Sequence, residues 1–490
     1  MSTPQSLLAL KLPSTGALAA ACAAALIVLL ALCYVIRRRP QALALLALFA
    51  MPFRVPISTD SRTVNLLIPL YLVVAAGTIV RLLPRLLHSH GGLVVRVRAV
   101  LAGARVREGE AVGASPRSLA FWTSARGLQW LLVIAVVLYA LQGTYSDDHT
   151  KAAENVAFFY IPFGLLFILL AELDWTRELL LRCLTVLVVL AVLFAGVGFI
   201  EYARKSLFLN PKVVAANEYS NYFRVNSVFF DPSIYGRFLA LVMVALTTVV
   251  LWSASRRYVL LGAAVLAWLL AGLVTSFSQS SIAALLLGLA ILAAWRWSVR
   301  ATVYVSVALA VLALAVLLAA PSSLHFGLKG SGGSANNATN GRANLIEGGL
   351  ELFAKRPLEG YGSGSFESEY RLHNIASGQN AVSASHTIPV TIAAEQGLIG
   401  LAVYLALLAS ALMVLFRGAG RSPPRIALAA CFAALVLHTW TYADFLEDPF
   451  TWALLAIGVA LARRADGQYA PAPSPRRALA GEQLAPHYSQ

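Results

Sequence analysis

Charged residues are scarce in this chain. Only 12% of its 490 residues are Asp, Glu, Lys or Arg, about half of the ~25% that soluble domains carry. Hydrophobic residues make up 59%, against roughly 45–50% in soluble domains. This composition excludes an ordinary soluble enzyme and indicates a polytopic membrane protein whose spanning segments form a helix bundle.

Cysteine and acidic residues are also few. The four cysteines, Cys22, Cys33, Cys183 and Cys431, lie in or at the ends of apolar runs without metal-ligand spacing, which favours membrane-buried side chains over a metal site. Lys and Arg outnumber Asp and Glu by 38 to 23, for a net charge of +15. Because the arginines cluster in short segments between apolar runs, they indicate topology and not nucleic acid as a partner.

The apolar runs predict about thirteen membrane spans, or twelve if one of the marginal first three is re-entrant. The basic residues that follow the first span, and those of residues 81–127, predict a cytoplasmic side. Alternation then places five further basic segments on that side. The predicted spans are residues 17–36, 41–53, 66–80, 128–143, 155–173, 181–200, 234–252, 258–275, 282–296, 301–320, 387–416, 426–443 and 450–463.

Four regions follow from this pattern. Residues 1–320 are predicted to hold membrane helices, with a basic cytoplasmic loop at 81–127 and an outer loop at 201–233. Residues 321–385 are predicted to form a large extracytoplasmic loop, and residues 386–464 hold the last membrane helices. Residues 465–490 are predicted to form a disordered cytoplasmic tail. The loop at 81–127 fits either an amphipathic helix on anionic lipid or a solvated basic segment.

The outer loop at 201–233 carries cations that the insertion bias disfavours on that side. Arg224 lies in this loop, and Arg237 follows one turn into the next span. A functional explanation is an anionic ligand held by guanidinium groups. A structural explanation is an ion pair with Asp231, which would also cap the helix that begins near Ser233.

The large loop at 321–385 shows a helix–turn–helix pattern. The apolar spacing predicts a short helix from Arg342 to Lys355, and a second from about Ser365 to Ala376. Between them, Gly360 to Phe366 predicts a tight turn with exposed backbone. This turn is not a nucleotide-binding phosphate loop, because no strand precedes it and no Lys-Ser/Thr pair follows.

The sequence resembles the signature region of the O-antigen ligase and O-antigen polymerase family. The resemblance rests on Gly341 to Asn344, Lys355 to Phe366, Ser385-His386, and Ala394 to Gly400, with weaker likeness at Arg224 to Pro232 and in the serine-rich turn Ser276 to Ser281. These matches lie within roughly residues 200–416. Thr387 follows His386 where the family often has Asn, and His373-Asn374 lies thirteen residues earlier. The distance to the Glu-x-Gly motif favours His386 as the family histidine, with His373 as the alternative.

This resemblance implies a GT-C-like all-α bundle that acts as a membrane glycosyltransferase. Such an enzyme moves a glycan from an undecaprenyl-diphosphate carrier to a hydroxyl of a glycolipid or glycan acceptor, at the outer face of the bacterial inner membrane, with no cofactor and no metal. The implied residues are His386 as the catalytic base, and Arg224, Arg342 and Arg237 as ligands of the donor diphosphate. Membrane lipid is the remaining partner. Joining a finished polymer to lipid A-core and polymerising repeat units both fit.

The chemistry of these residues agrees with that role. A diphosphate leaving group needs charge stabilisation, which arginine supplies, and histidine titrates near neutral pH, as a base requires. Glu395 lies nine residues after His386, on the opposite face of a continuous helix, so it is expected to stabilise helix packing. A transporter of lipid-linked glycan or another amphiphile is the alternative, and the near absence of ionisable groups within the spans favours the enzyme.

Overall fold

The computed structural model describes residues 15–58, 63–88, 119–208, 223–304, 342–373 and 387–465. These residues form a bundle of helices with one small antiparallel hairpin, in which Val55 pairs with Leu66. The elements are α1 Thr15–Arg38, α2 Ala42–Ala50, β1 Val55–Ser58, β2 Thr63–Leu66, α3 Ile68–Gly77, α4 Leu83–His88, α5 Leu119–Trp122, α6 Ala125–Gln142, α7 His149–Asn155, α8 Ile161–Ala171, α9 Arg177–Arg204, α10 Pro232–Trp252, α11 Arg256–Thr275, α12 Gln279–Arg296, α13 Arg342–Lys355, α14 Phe366–His373, α15 Ile388–Phe416, α16 Pro423–Trp440 and α17 Pro449–Ala465. Two π-helical segments, Thr78–Leu82 and Val156–Tyr160, join α3 to α4 and α7 to α8.

The predicted polytopic helical membrane fold is confirmed. Ten helices of the described ranges are long and apolar enough to cross a membrane. Of the other three predicted spans, residues 41–53 form only the nine-residue α2, which is too short to cross. Residues 450–463 fall in α17, whose 17 residues extend about 26 Å. Residues 301–320 lie mostly outside the described residues.

The centre of the bundle is formed by α10 and α16. Their apolar windows are 61% and 67% buried, whereas that of α1 is only 6% buried. α12 packs against both central helices, and α15 packs against α6 and α16. The apolar side chains of the peripheral helices are therefore left facing outward, as expected for a surface in contact with lipid.

Local sequence fixes where several of these helices begin. Asp231 caps α10 by accepting a hydrogen bond from the Ser233 amide at 2.6 Å, and Pro232 occupies the first turn. Ser278 caps α12 by accepting from the Ser281 amide. In each case a side-chain oxygen satisfies an amide that has no partner within the helix. The predicted cap at Asp231 is therefore present.

Arginines gather at one end of the bundle, which we call the basic end. Arg464 pairs with Asp174 at 3.0 Å, and Arg417 donates to the Thr123 hydroxyl at 3.3 Å. The first contact joins segments 174–182 and 463–464, and the second joins segment 417–425 to residues 81–127. The charge pattern assigned all four segments to one side of the membrane. We call the opposite end, formed by residues 142–148, 223–231, 276–278, 356–373, 387–397 and 441–448, the loop end. The side of the membrane that each end faces stays a prediction.

Candidate active site at the loop end

The glycine-rich turn, residues 356–366, docks onto a break in α15. In an uninterrupted helix the carbonyls of Ala394 and Glu395 would accept from the amides four residues later. Instead they accept from Tyr361 at 3.2 Å and Gly362 at 2.7 Å, while the Leu398 amide donates back to Pro357 at 2.7 Å. The turn thus exchanges backbone hydrogen bonds with the helix, so the interruption leaves those groups paired.

Two glycines make this close approach possible. Gly397 adopts φ +64°, and a Cβ there would lie 2.2 Å from the Leu358 carbonyl oxygen. Gly360 adopts φ +70°, and its Cβ would lie 2.3 Å from the Glu395 carbonyl oxygen. Both positions combine a left-handed backbone with contact to another backbone, so a side chain is excluded on two grounds. The glycines of the resembling motif therefore serve the packing of the turn on α15.

Glu395 holds the turn through its side chain. Its carboxylate is buried and accepts hydrogen bonds from the amides of Gly364 at 2.9 Å and Phe366 at 3.1 Å. Phe366 is the first residue of α14, so the carboxylate satisfies a helix N-terminus and lies at the positive end of the helix dipole. Glu395 thus acts in packing, as the sequence led us to expect.

The membrane helix α6 anchors the same turn. Gln142, at the end of α6, donates from Nε2 to the Gln396 carbonyl at 3.1 Å, and the Tyr145 hydroxyl donates to the Glu359 carbonyl at 2.8 Å. Because these donors reach carbonyls on both partners, the turn, the broken part of α15 and the end of α6 form one hydrogen-bonded unit.

A cavity of about 110 Å³ lies beside this unit, between α6, α7, α15 and the loop after α16. Lys151, Asn155, Asp444 and Glu447 line one part of it, and α15 contributes both polar residues, such as Glu395 and Gln396, and apolar ones. Asn155 donates from Nδ2 to the Tyr139 hydroxyl at 2.7 Å and to Glu447 Oε1 at 3.0 Å. The cavity therefore presents polar groups at one part and an apolar wall at another.

Sequence reasoning missed Asn155, Asp444 and Glu447. A usable signal was present for Asn155, because it is a polar residue at the start of an otherwise apolar predicted span, and polar residues of membrane spans are functional candidates. For Asp444 and Glu447 the sequence shows only a short polar connection between two spans. No three or more His, Cys, Asp or Glu side chains of the described residues are grouped as ligands for a metal ion.

Arg224 lies in the ordered part of the loop before α10. It is half-buried, and its Nε donates to the Ser276 carbonyl at 3.1 Å. The buried Glu201 fixes this loop by accepting from the amides of Asn226 at 3.3 Å and Ser227 at 2.8 Å. The guanidinium is thus held against the serine-rich turn at the loop end.

Arg237 has a partner inside the protein, but it is not the predicted Asp231. Its side chain is 3% exposed and forms an ion pair with Asp448 at 2.9 Å, while Nη1 donates to the Ala443 carbonyl at 3.4 Å. It lines a different, smaller cavity than the one beside the glycine turn. This ion pair gives Arg237 a structural role that needs no ligand, and diphosphate binding by Arg237 stays a prediction.

The other two predicted site residues are Arg342 and His386. Arg342 is the first residue of α13, which spans the predicted Arg342–Lys355 and packs against α15. His386 lies outside the described residues, directly before Thr387 and the start of α15. The predicted second short helix is observed as α14, Phe366–His373, and the last three predicted residues, 374–376, lie outside the described residues.

The alternative histidine, His373, sits among ionisable groups at the end of α14. Its Nδ1 lies 3.0 Å from the Glu369 carbonyl oxygen and 3.4 Å from Glu369 Oε2. Burial raises the pKa of Glu369 to about 7, helped by a hydrogen bond with Asp147, against the lowering effect of Arg356. Arg356 itself stacks on the Tyr361 ring at 4.4 Å. His373 is therefore tied to its own helix and to a carboxyl that is neutral over part of the physiological pH range.

The serine-rich turn meets the end of α16. Nε2 of the buried His438 lies 3.2 Å from Ser281 Oγ and 3.3 Å from Ser280 Oγ, and Ser281 Oγ donates to the Ser233 carbonyl. These contacts tie α10, α12 and α16 together beside Arg224.

Residues 264–405 match the model of a protein family described as O-antigen ligase. This segment is similar to the O-antigen ligase family. The resemblance inferred from the sequence is thereby confirmed, and the matched segment contains the serine-rich turn, α13, the glycine turn and Glu395. Arg224 contacts the matched segment at the Ser276 carbonyl, and Asn155 and Glu447, which also lie outside the matched residues, line the cavity beside it. A search of curated proteins finds no match for the chain.

Proposed function

We propose that this chain is a membrane glycosyltransferase that moves a glycan from an undecaprenyl-diphosphate carrier to a hydroxyl acceptor. The observation that supports this most is the match of residues 264–405 to the O-antigen ligase family, because residues of this segment build part of the loop end of a helical membrane bundle. Transfer of a finished polymer to lipid A-core is the ligase form of the reaction, and polymerisation of repeat units is the related form. The loop end would face the periplasm, because the arginines at the opposite end favour the cytoplasm.

In this proposal the acceptor oxygen attacks the anomeric carbon of the donor sugar. The bond from that carbon to the diphosphate oxygen breaks, and the electron pair leaves with the diphosphate. Arg224 and Arg342, with Arg237 as a third predicted ligand, stabilise the negative charge on the leaving group. His386 accepts the proton of the acceptor hydroxyl. No cofactor is required to balance the step.

The test is transfer in liposomes that contain the purified protein, a lipid-linked glycan donor and lipid A-core acceptor. A new acceptor-linked product is expected from the native chain. Arg224→Lys keeps the charge but loses the guanidinium fork, so donor binding should weaken. His386→Ala should lower turnover by about 10²–10⁴-fold while donor binding is retained.

Two results would contradict the proposal. Movement of lipid-linked glycan across the bilayer without a new glycosidic bond would support the transporter. Loss of transfer in a well-folded His373→Ala variant, with His386→Ala active, would move the base to His373.

A further inference from the structure

The polar part of the main cavity contains a buried amide with an unused acceptor. Asn155 is 2% exposed and lines the cavity. Its Nδ2 donates both protons, one to Tyr139 and one to Glu447. Its Oδ1 is buried and has no hydrogen-bond partner among the described residues. A buried amide oxygen without a partner costs free energy, which a hydrogen-bond donor in the cavity would recover.

The groups around Asn155 also accept hydrogen bonds. Glu447 and Asp444 line the same cavity, and Lys151 is the one cation among the described lining residues. Burial and the nearby Asp444 raise the pKa of Glu447 to about 7, against the lowering effect of Lys151. Sites rich in carboxyl and amide oxygens suit ligands that bring several donors, and they disfavour a diphosphate.

The backbone around these groups is unusual in two places. Asp444 adopts φ +65°, a left-handed conformation that is strained for a residue other than glycine. Asn155 directly precedes the π-helical turn Val156–Tyr160, a feature that is frequent at functional sites. The side chains of Asp444 and Asn155, which lie at these two irregular backbone positions, both line the cavity.

The remaining wall fits the apolar face of a sugar ring. Tyr404 lines the cavity, and its hydroxyl accepts from Trp440 Nε1 at 2.8 Å, which fixes the ring. Ile388 also lines it, and the proposed base His386 precedes Ile388 by two residues in the chain. A ligand in this cavity would thus lie against the first residues of α15.

We propose that this cavity binds a sugar of the hydroxyl acceptor, whose hydroxyls donate hydrogen bonds to Asn155 Oδ1 and the Glu447 carboxyl group. The proposal rests on the proposed function and gives it an acceptor subsite. Its acidic lining keeps the acceptor site distinct from the arginines that would hold the donor diphosphate.

The experiment measures binding of two probes to the full chain in nanodiscs without glycolipid. The probes are dephosphorylated core oligosaccharide released from lipopolysaccharide, and inorganic pyrophosphate. Asn155→Ala and Glu447→Gln should weaken oligosaccharide binding on the order of 3- to 10-fold and leave pyrophosphate binding unchanged. Thr248→Val is the matched control, because Thr248 is a buried polar residue of α10 whose hydroxyl donates to Val244 in its own helix. Binding of both probes to this control should equal that of the native chain.

The outcomes separate this proposal from the proposed function. If both cavity variants keep transfer activity, with the acceptor binding and the acceptor KM of the native chain, the acceptor subsite is overturned and the proposed function is not. Oligosaccharide binding that depends on Asn155 in a chain without transfer activity would support the subsite and overturn the proposed function. If Asn155→Ala weakens the binding of both probes equally, Asn155 has a structural role. If Mg²⁺ or Ca²⁺ displaces the oligosaccharide, the cavity is a cation site. Either result contradicts the proposal.

Discussion

Arg237 and Asp448 form a pair in which neither member can be removed alone. Both side chains are at most 3% exposed, so Arg237→Met would leave Asp448 buried without a counter-charge. The expected loss is about 3–5 kcal/mol of unfolding free energy, measured by steric trapping or detergent-induced unfolding. The double variant Arg237→Met with Asp448→Leu should regain most of this loss, because no charge is then left unpaired.

The same double variant separates structure from ligand binding at Arg237. If the ion pair is its whole role, the folded double variant binds the donor diphosphate like the native chain. Loss of donor binding in a stable double variant would instead restore Arg237 to the predicted diphosphate site.

Glu369 predicts a pH dependence of stability. Its pKa rises from 4.5 to about 7 in the folded chain, so the folded state binds the proton more tightly than the unfolded state. The contribution of this group is therefore most favourable below pH 4.5 and is lost as the pH rises to about 7. Glu369→Gln keeps a neutral hydrogen-bonding group, so it should raise the melting temperature at pH 8 and change it little at pH 4.5.

The neighbours of Glu369 supply the control for that measurement. Asp147, His373, Arg356 and Lys355 all face or influence this carboxyl. His373→Gln should keep most of the pH slope between pH 4.5 and 7. A slope that disappears with His373→Gln and persists with Glu369→Gln would show that the titrating group is the histidine.

At the scale of elements, the docked glycine turn gives a sharp prediction. Gly360→Ala puts a methyl group against the Glu395 carbonyl at a position with φ +70°, so it should destabilise the turn by at least about 1 kcal/mol. Gly164→Ala is the matched control, since a Cβ there meets nothing within 4 Å in helix α8. It should be neutral or slightly stabilising.

Protease sensitivity of residues 356–373 and transfer activity measure the result. Increased cleavage with reduced transfer is expected for Gly360→Ala and not for Gly164→Ala. Equal behaviour of the two variants would show that the turn tolerates a side chain and that the docking geometry is wrong.

Single elements were largely predictable from the sequence. The apolar spacing from Leu345 to Phe353 lies within the observed helix α13, and Asp231 caps α10 as its position before Pro232 suggested. Local patterns suffice in such cases, because a helix face or a cap depends on neighbours within a few residues. The break in α15 was not predicted, since the apolar run continues through Gly397 and only contact with residues 357–362 explains its conformation.

The cavity could not be predicted from the sequence, for a related reason. Asn155 and Glu447 are 292 residues apart, and no local pattern links a polar residue at the start of one span with a loop between two others. The partner of Arg237 was missed in the same way, because Asp231 is near in sequence and Asp448 is near in space.

At the scale of the whole molecule, the two ends of the bundle should face opposite sides of the membrane. Leu358 at the glycine turn is 60% exposed, and Trp297, which follows α12, is 67% exposed. In a background without the four native cysteines, a membrane-impermeant maleimide applied to spheroplasts should label Leu358→Cys. It should label Trp297→Cys only after permeabilisation. The reverse pattern would place the loop end in the cytoplasm and remove the proposed reaction from the periplasm.

The exchange of backbone hydrogen bonds between the glycine turn and α15 also sets an order of assembly. Before docking, the amides of Leu398 and Ile399 and the carbonyls of Ala394 and Glu395 lack the partners they have in the finished fold, and unpaired peptide groups are costly inside a bilayer. Residues 356–366 precede α15 in the chain, so they are synthesised before it. The turn can then close on α15 as that helix inserts, and the loop end is completed only at a late step of biogenesis.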